Sequence, residues 1–339
     1  MTHVPRILEP QCAWTAADVA DETSWTEVLT AEELAELDAA VRHALARSED
    51  VLDIARDDFP LPGLSARIKA IEQELIDGRG FVRVRGIDRS GYDQAEMEML
   101  YWGFGTHLGL PWAQNHHGHV LGDVTDQQKA YDDPTARGNE LGGVALPFHC
   151  DGSDLVGLLC LTNGIAGGLS AVANSVSIHN RLVSDRPDLA AALYDEFPYD
   201  YRGEQADGAK PYYTMPVFTE WGDRLFVRAI PPYIHASQRH PDAPRLTEVQ
   251  SEALAALEAM ANDPDNHVTM ELLPGDMQFI NNYHVLHGRT AYSDDRGTGQ
   301  VRHLKRLWLE TEVLDDRPPI FGNLSHWSDK RTATRLAVN

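Results

Sequence analysis

Basic residues are in short supply. The chain sets 29 lysines and arginines against 52 aspartates and glutamates, for a formal charge of -23. A field of that sign repels phosphate backbones and anionic headgroups, so nucleic acid and a membrane surface are not expected partners. Cysteine is scarcer still. Cys12, Cys150 and Cys160 make neither a disulfide framework nor a zinc site of paired thiolates. No apolar run approaches the roughly 18 residues that a membrane-crossing helix needs. The opening MTHVPRILEPQCAW also lacks the basic start and apolar stretch of a secretory leader. A reducing, cytoplasmic setting is the expectation. Two catalytic signatures are missing as well. Gly168-Leu169-Ser170-Ala171-Val172 lacks the second glycine of a hydrolase nucleophile elbow, and GFGTHLG from Gly103 misses the dinucleotide-binding spacing.

What is present is a folding chain, since 42% of its 339 residues are hydrophobic. Thr30 and Glu33 form a capping box ahead of Leu34, Leu37, Val41 and Leu45, which predicts a helix over about residues 31–46. Helical patterns recur over 64–76 and 93–108, with the alternating strand GFVRVRGI between them. Helix is also expected over 176–194, broken near Pro187, and after the Thr247/Gln250 capping box. Short apolar strands dominate the rest: LPFHCD from Leu146, DLVGLLCL from Asp154, PYYTMPVF, DRLFVRAI, HVTMELL and the stretch from Pro274 to Leu309. Residues 112–143 read as an irregular polar segment, the kind that serves as an active-site lid. Within it His116, His117 and His119 read as loop residues, and Gln114 and Asn115 as neutral donors for a polar ligand.

Chemistry concentrates in the second half. On an extended segment His149 and Asp151 share a face, with Cα atoms about 6.6 Å apart, so both can reach one ion. A further histidine lies in the distal stretch PGDMQFINNYHVLHGRTAY, where His284 and His287 occupy opposite faces of a regular strand. Two histidines and one carboxylate are the ligand types of a facial triad, which leaves coordination positions open for small molecules. Arg302 and Arg306 follow in the apolar strand VRHLKRLWL, where a buried guanidinium calls for an anion. They share a face but sit about 13 Å apart if extended, too far to grip one small carboxylate together.

These segments, FHCDGSD, AGGLSAVANS, PGDMQFINNYHVLHGRTAY and RHLKRLWL, resemble in that order the taurine dioxygenase and clavaminate synthase-like superfamily of iron(II)/2-oxoglutarate-dependent oxygenases. The resemblance implies His149, Asp151 and His287 as iron ligands, with the HGRT context selecting His287 over His284. It implies Arg302 as the anchor of the distal carboxylate of 2-oxoglutarate, with Ser170 beside it where the family often has threonine. It places Arg306 facing the substrate region or a partner of a metal ligand, and Gln114, Asn115 and Arg306 together suggest a polar substrate. Clavaminate synthase and its amino-acid-hydroxylating relatives commonly carry glutamate where this chain has Asp151.

The implied fold is α+β: a double-stranded β-helix, or jelly-roll, core wrapped by helices. Residues 1–339 would form one oxygenase domain, with a helical N-terminal layer over about 1–78. The implied activity is oxidative decarboxylation of 2-oxoglutarate with iron(II) and dioxygen, coupled to hydroxylation of an unactivated C–H bond. The expected substrate is a small polar or zwitterionic molecule, first an amino acid or natural-product intermediate, second a sulfonate or similar acid. A homo-oligomer is compatible with the sequence. So is a jelly-roll that binds a metal or an anion without turnover, which succinate formation would distinguish.

Overall fold

Side-chain caps set where the long helices begin. Thr30 accepts from the Glu33 backbone N–H, and the Glu33 carboxylate accepts from that of Thr30. The helix Ala31–Arg47 starts there, as the capping box predicts. Thr247 and Gln250 do the same for Glu248–Asn262, and Asp93 with Glu96 for Gln94–Thr106. The computed structural model describes residues 4–8, 13–115, 118–130, 133 and 136–322.

The architecture is α+β, with helices around two larger sheets. The seven-stranded sheet runs Thr26–Val28, Phe81–Arg85, Met277–Asn281, Leu155–Thr162, His303–Glu310 and Leu110–Pro111, and Leu121–Thr125 also pairs with His303–Glu310. The four-stranded sheet runs His267–Met270, Ser170–Asn174, Val285–Arg289 and Leu146–His149. Every ladder in the four-stranded sheet is antiparallel. The two remain separate ladders, with no closed barrel among the described residues.

Helices cover the outer face of the large sheet. Ser65–Ile76 packs on Phe81–Arg85 and Met277–Asn281, and Gln94–Thr106 packs on Leu155–Thr162 and His303–Glu310. Close approach depends on one glycine: a Cβ at Gly157 would meet the Tyr101 hydroxyl at 2.5 Å and the Phe279 ring at 2.9 Å. Phe104 stacks on Phe279 with ring centroids 5.6 Å apart, and the buried Tyr101 hydroxyl accepts the Leu307 N–H at 3.2 Å. A second apolar cluster, including Val156, Val172, Val285, Leu304 and Trp308, joins residues of both sheets. Alternation along His303–Glu310 therefore sends Leu307 to the helices and Leu304, Arg306 and Trp308 to the space holding the site.

Two elements differ from the sequence reading. Leu121–Thr125, inside the segment read as irregular, pairs with His303–Leu307. LGDVT offers a single buried residue, Val124, so its pairing comes from the neighbouring strand and not from a hydrophobic pattern of its own. Pro231–Ser237 is a short helix whose prolines occupy its first turn, where a missing N–H costs nothing.

His284 packs inside, 5% exposed, with no partner on Nδ1. Burial, reinforced by Arg224, pushes its pKa down from 6.5 to about 4. The unfolded chain takes up this proton below pH 6.5 and the folded chain refuses it, so stability falls as pH drops from about 6.5 to about 4. Urea unfolding of wild type and His284→Gln across this window measures the term. The variant is expected to lose up to about 3 kcal/mol of the pH dependence; an unchanged slope would contradict the assignment.

Candidate metal centre and arginine-lined cavity

His149 is the last residue of its strand and pairs across the ladder with His287. That register brings the two imidazoles together, with ring centroids 4.2 Å apart. Asp151 opens the bend over residues 152–154, which Asn282 clamps: the Asn282 side-chain oxygen accepts the Asp151 N–H at 2.7 Å. Its amide nitrogen donates to the Asp151 and Ser153 carbonyls at 2.6 and 2.8 Å. The Asp151 carboxylate consequently lies 3.8 Å from His149 Nε2 and 3.7 Å from His287 Nε2. One ligand atom from each of the three residues falls within a 4.8 Å cluster.

The protonation states suit a cation. His149 Nδ1 lies 2.9 Å from the Pro147 carbonyl, which places its proton there and turns the Nε2 lone pair toward Asp151. Burial, with the neighbouring His149, pushes the pKa of His287 down to about 3, and burial lowers that of His149. Burial alone would raise Asp151, but Arg306 and the two imidazoles outweigh it and hold the carboxyl well below the usual carboxylate range. Two neutral imidazoles and one carboxylate are the donors of a facial triad. Both imidazole–carboxylate separations are shorter than two metal–ligand bonds of about 2.1 Å end to end, so one ion can bridge either pair. No fourth ligand joins this cluster among the described residues, unlike a closed structural zinc site.

The triad opens into a cavity of about 320 Å³. Among the described residues its wall carries six arginines, Arg137, Arg202, Arg228, Arg289, Arg302 and Arg306, and one carboxylate, Asp151. Arg306 Nη1 donates to Asp151 Oδ2 at 3.1 Å, and Trp308 Nε1 donates to the same oxygen at 2.9 Å. Arg302 occupies a different place. It is 4% exposed, lies over the Tyr292 ring at 5.3 Å, and donates from Nη2 to the Gly168 carbonyl at 3.3 Å. Its Nε and Nη1 have no partner, and burial, with repulsion from Arg289, pushes its pKa down to about 10. Gly168 makes room, since a Cβ there would sit 2.7 Å from Arg302 Nε, and its φ of +74° suits glycine.

The other residues singled out from sequence fall into distinct positions. Ser170 lines the cavity, and its hydroxyl donates to Gln278 Oε1 at 2.7 Å. Gln114 is buried behind Arg306: it accepts from Arg306 Nε at 2.8 Å and donates to the Arg306 and Val120 carbonyls at 2.7 and 2.8 Å. Its amide therefore serves the arginine. Asn115 turns toward His119, 3.1 Å from its Nδ1, and does not line the cavity. His116 and His117 lie outside the described residues.

Sequence reasoning passed over Arg289, Arg228, Asn282 and Trp308. Two carried a usable signal, because Arg289 stands two residues from His287 and Trp308 two from Arg306, on the same strand faces. Arg228 had none. It reaches the site from the strand end after Val227, donating to the Asp151 carbonyl and, at 3.1 Å, to the Tyr213 hydroxyl.

Comparison with known proteins places the chain in a family. A family model, taurine catabolism dioxygenase TauD, TfdA family, matches residues 44–308. FR-33289 synthase of Streptomyces rubellomurinus is 34% identical over 302 residues, covering 88% of this chain and 89% of that protein. Enduracididine beta-hydroxylase of Streptomyces hygroscopicus is 27% identical over 235 residues, covering 62% and 66%. Among solved structures, asparagine oxygenase with Fe(II), 3-hydroxyasparagine and succinate superposes with a TM-score of 0.64 at 20% identity, over 84% of this chain and 94% of that one. The non-heme iron oxygenase OrfP with Fe and alpha-ketoglutaric acid gives 0.61 at 18%, over 85% and 94%. The chain belongs to the TauD/TfdA family of non-haem iron, 2-oxoglutarate-dependent dioxygenases.

Proposed function

We propose that this enzyme hydroxylates an unactivated C–H bond of a small organic acid, with its residues forming one oxygenase domain whose two larger sheets are the faces of a jelly-roll. One observation carries the substrate class: among the described residues six arginines line the cavity, and the one lining carboxylate belongs to the metal triad. An amino acid would bring an ammonium group with no anionic partner to meet it, and an unpaired buried charge is costly. The cavity charge thus favours a carboxylate or sulfonate without an ammonium over the amino acid that the sequence placed first. The asparagine and arginine products held by the solved neighbours belong to those proteins.

The residues divide the work. His149, Asp151 and His287 would hold iron(II), and Trp308 and Arg306 fix the Asp151 carboxylate by donating to its Oδ2. Arg302, with unpartnered donors aimed at a buried space, takes the distal carboxylate of 2-oxoglutarate, and the Ser170 hydroxyl turns from Gln278 Oε1 to donate to the same carboxylate. Iron with 2-oxoglutarate and dioxygen supplies the oxidising chemistry, in which the cosubstrate leaves as succinate and carbon dioxide and one oxygen atom enters the substrate. Arg306, braced by Gln114, orients the substrate anion beside the triad. Leu141, Val144, Val156 and Ile230 supply apolar wall that limits water.

Asp151→Ala removes the one anionic ligand. Substrate-coupled succinate formation should fall at least about a hundredfold and the iron(II)-dependent rise in Tm should vanish, with circular dichroism unchanged; full coupled turnover in this variant would sink the metal assignment. A panel of small sulfonates, carboxylates and free amino acids, read by mass spectrometry for addition of one oxygen, tests the substrate class. Products should appear among the acids lacking an ammonium, and turnover restricted to amino acids would refute it. Arg306→Met should raise the KM of the accepted acid about tenfold or more and, by releasing Asp151, also shrink the iron(II)-dependent rise in Tm; an unchanged KM would contradict the role.

A further inference from the structure

Arg289 takes no part in the roles above, yet it is 6% exposed and lines the same cavity. It packs on the Tyr292 ring at 4.6 Å, the ring that Arg302 also contacts at 5.3 Å. Two buried guanidinium groups thus share one tyrosine. No carboxylate among the described residues lies within ion-pair distance of either. The nearby Asp294 accepts the backbone N–H of Arg302 at 2.9 Å, and Asp126 pairs with Arg296 at 2.9 Å. Arg289 Nε, like Arg302 Nε and Nη1, has no hydrogen-bond partner. Like charges held this close in a buried place repel, and an anion brought between them removes the penalty.

The other end of Arg289 is engaged. Nη2 donates to the carbonyls of Leu141 and Val144, at 3.2 and 2.9 Å. Those residues, with Gly138, Asn139 and Ala145, line the cavity just ahead of the strand Leu146–His149. A bulge in the ladder between Leu146–His149 and Val285–Arg289 falls between His287 and Arg289, so the strand carrying the metal ligand also aims the guanidinium at this wall.

We propose that Arg289 is a positioning residue that couples cosubstrate binding to the ordering of the cavity wall at residues 138–145. A carboxylate on Arg302 gives Arg289 an opposite charge across Tyr292 where it otherwise faces a like one. The guanidinium is then held more firmly, and so are the two wall carbonyls it bonds. By linkage, the wall returns the same factor to cosubstrate affinity. The wall that meets the substrate is thereby set after the cosubstrate is in place. This rests on Arg302 being the cosubstrate anchor.

Amide hydrogen exchange and calorimetry on the manganese(II)-loaded full chain, with and without 2-oxoglutarate, test it without turnover. In wild type the cosubstrate should slow exchange severalfold at residues 138–145. Arg289→Gln should bind 2-oxoglutarate about tenfold more weakly and lose that protection. Arg289→Lys, which keeps the charge, should bind within about threefold of wild type, whereas a purely structural role would weaken both variants alike. Arg302→Gln, which removes the anchor itself, should abolish binding. Wild-type protein that binds 2-oxoglutarate without protecting 138–145, or Arg289→Gln that binds as wild type, would overturn the coupling alone. Arg302→Gln binding as wild type would overturn both the anchor and the coupling.

Discussion

The ion pair between Arg306 and Asp151 is the contact on which the site depends. A carboxylate surrounded by protein would take up a proton if burial acted alone; the guanidinium at 3.1 Å keeps it ionised. The same contact fixes which oxygen is occupied, since Trp308 donates to that oxygen too. Gln114 sets the guanidinium in turn, accepting from Nε and donating to the carbonyl of the same arginine. Removing any member would free Asp151 to rotate or to protonate, and either event leaves two neutral imidazoles with no anionic partner for a cation.

The two larger sheets contribute different halves of this arrangement. The four-stranded sheet supplies both imidazoles through one cross-strand pair, together with Ser170 and Arg289. The strand His303–Glu310 of the other sheet supplies Arg306 and Trp308, and Arg302 directly precedes it. Asn282, just beyond the strand Met277–Asn281, fastens the Asp151 turn to that second sheet. The helices act at one remove: Tyr101 and Phe104 support the large sheet from outside, and the glycine at 157 lets them approach. Charge is concentrated in the opposite sense to the whole molecule, with a basic cavity inside a chain of net charge -23. Such a surface does little to attract an anion from a distance, so retention must come from the short-range fork geometry of the arginines.

Much of this was legible in the residues because it rests on local rules. Capping pairs marked the starts of Ala31–Arg47 and Glu248–Asn262; His284, expected on the opposite strand face from His287, instead sits in the turn just before the strand Val285–Arg289. The thirteen-ångström argument kept Arg302 and Arg306 apart, and they engage different partners, Gly168 and Tyr292 for one, Asp151 and Gln114 for the other. What escaped depends on contacts between distant segments. Nothing near Arg228 signals that it will meet the Asp151 carbonyl. Gln114 looked like a free donor because its neighbours are polar, and only the fold places it behind Arg306. The surplus of arginine over carboxylate in the cavity is likewise invisible along the chain, since Arg137, Arg202 and Arg228 come from separate segments around the same space.

An anaerobic crystal structure with iron(II) and 2-oxoglutarate bound would test the central claim most directly. The account predicts iron on His149 Nε2, one Asp151 oxygen and His287 Nε2, the distal carboxylate on Arg302, and Arg306 still paired with Asp151 and not with the cosubstrate. Iron bound elsewhere, or the distal carboxylate held by Arg306 with Arg302 unengaged, would contradict it.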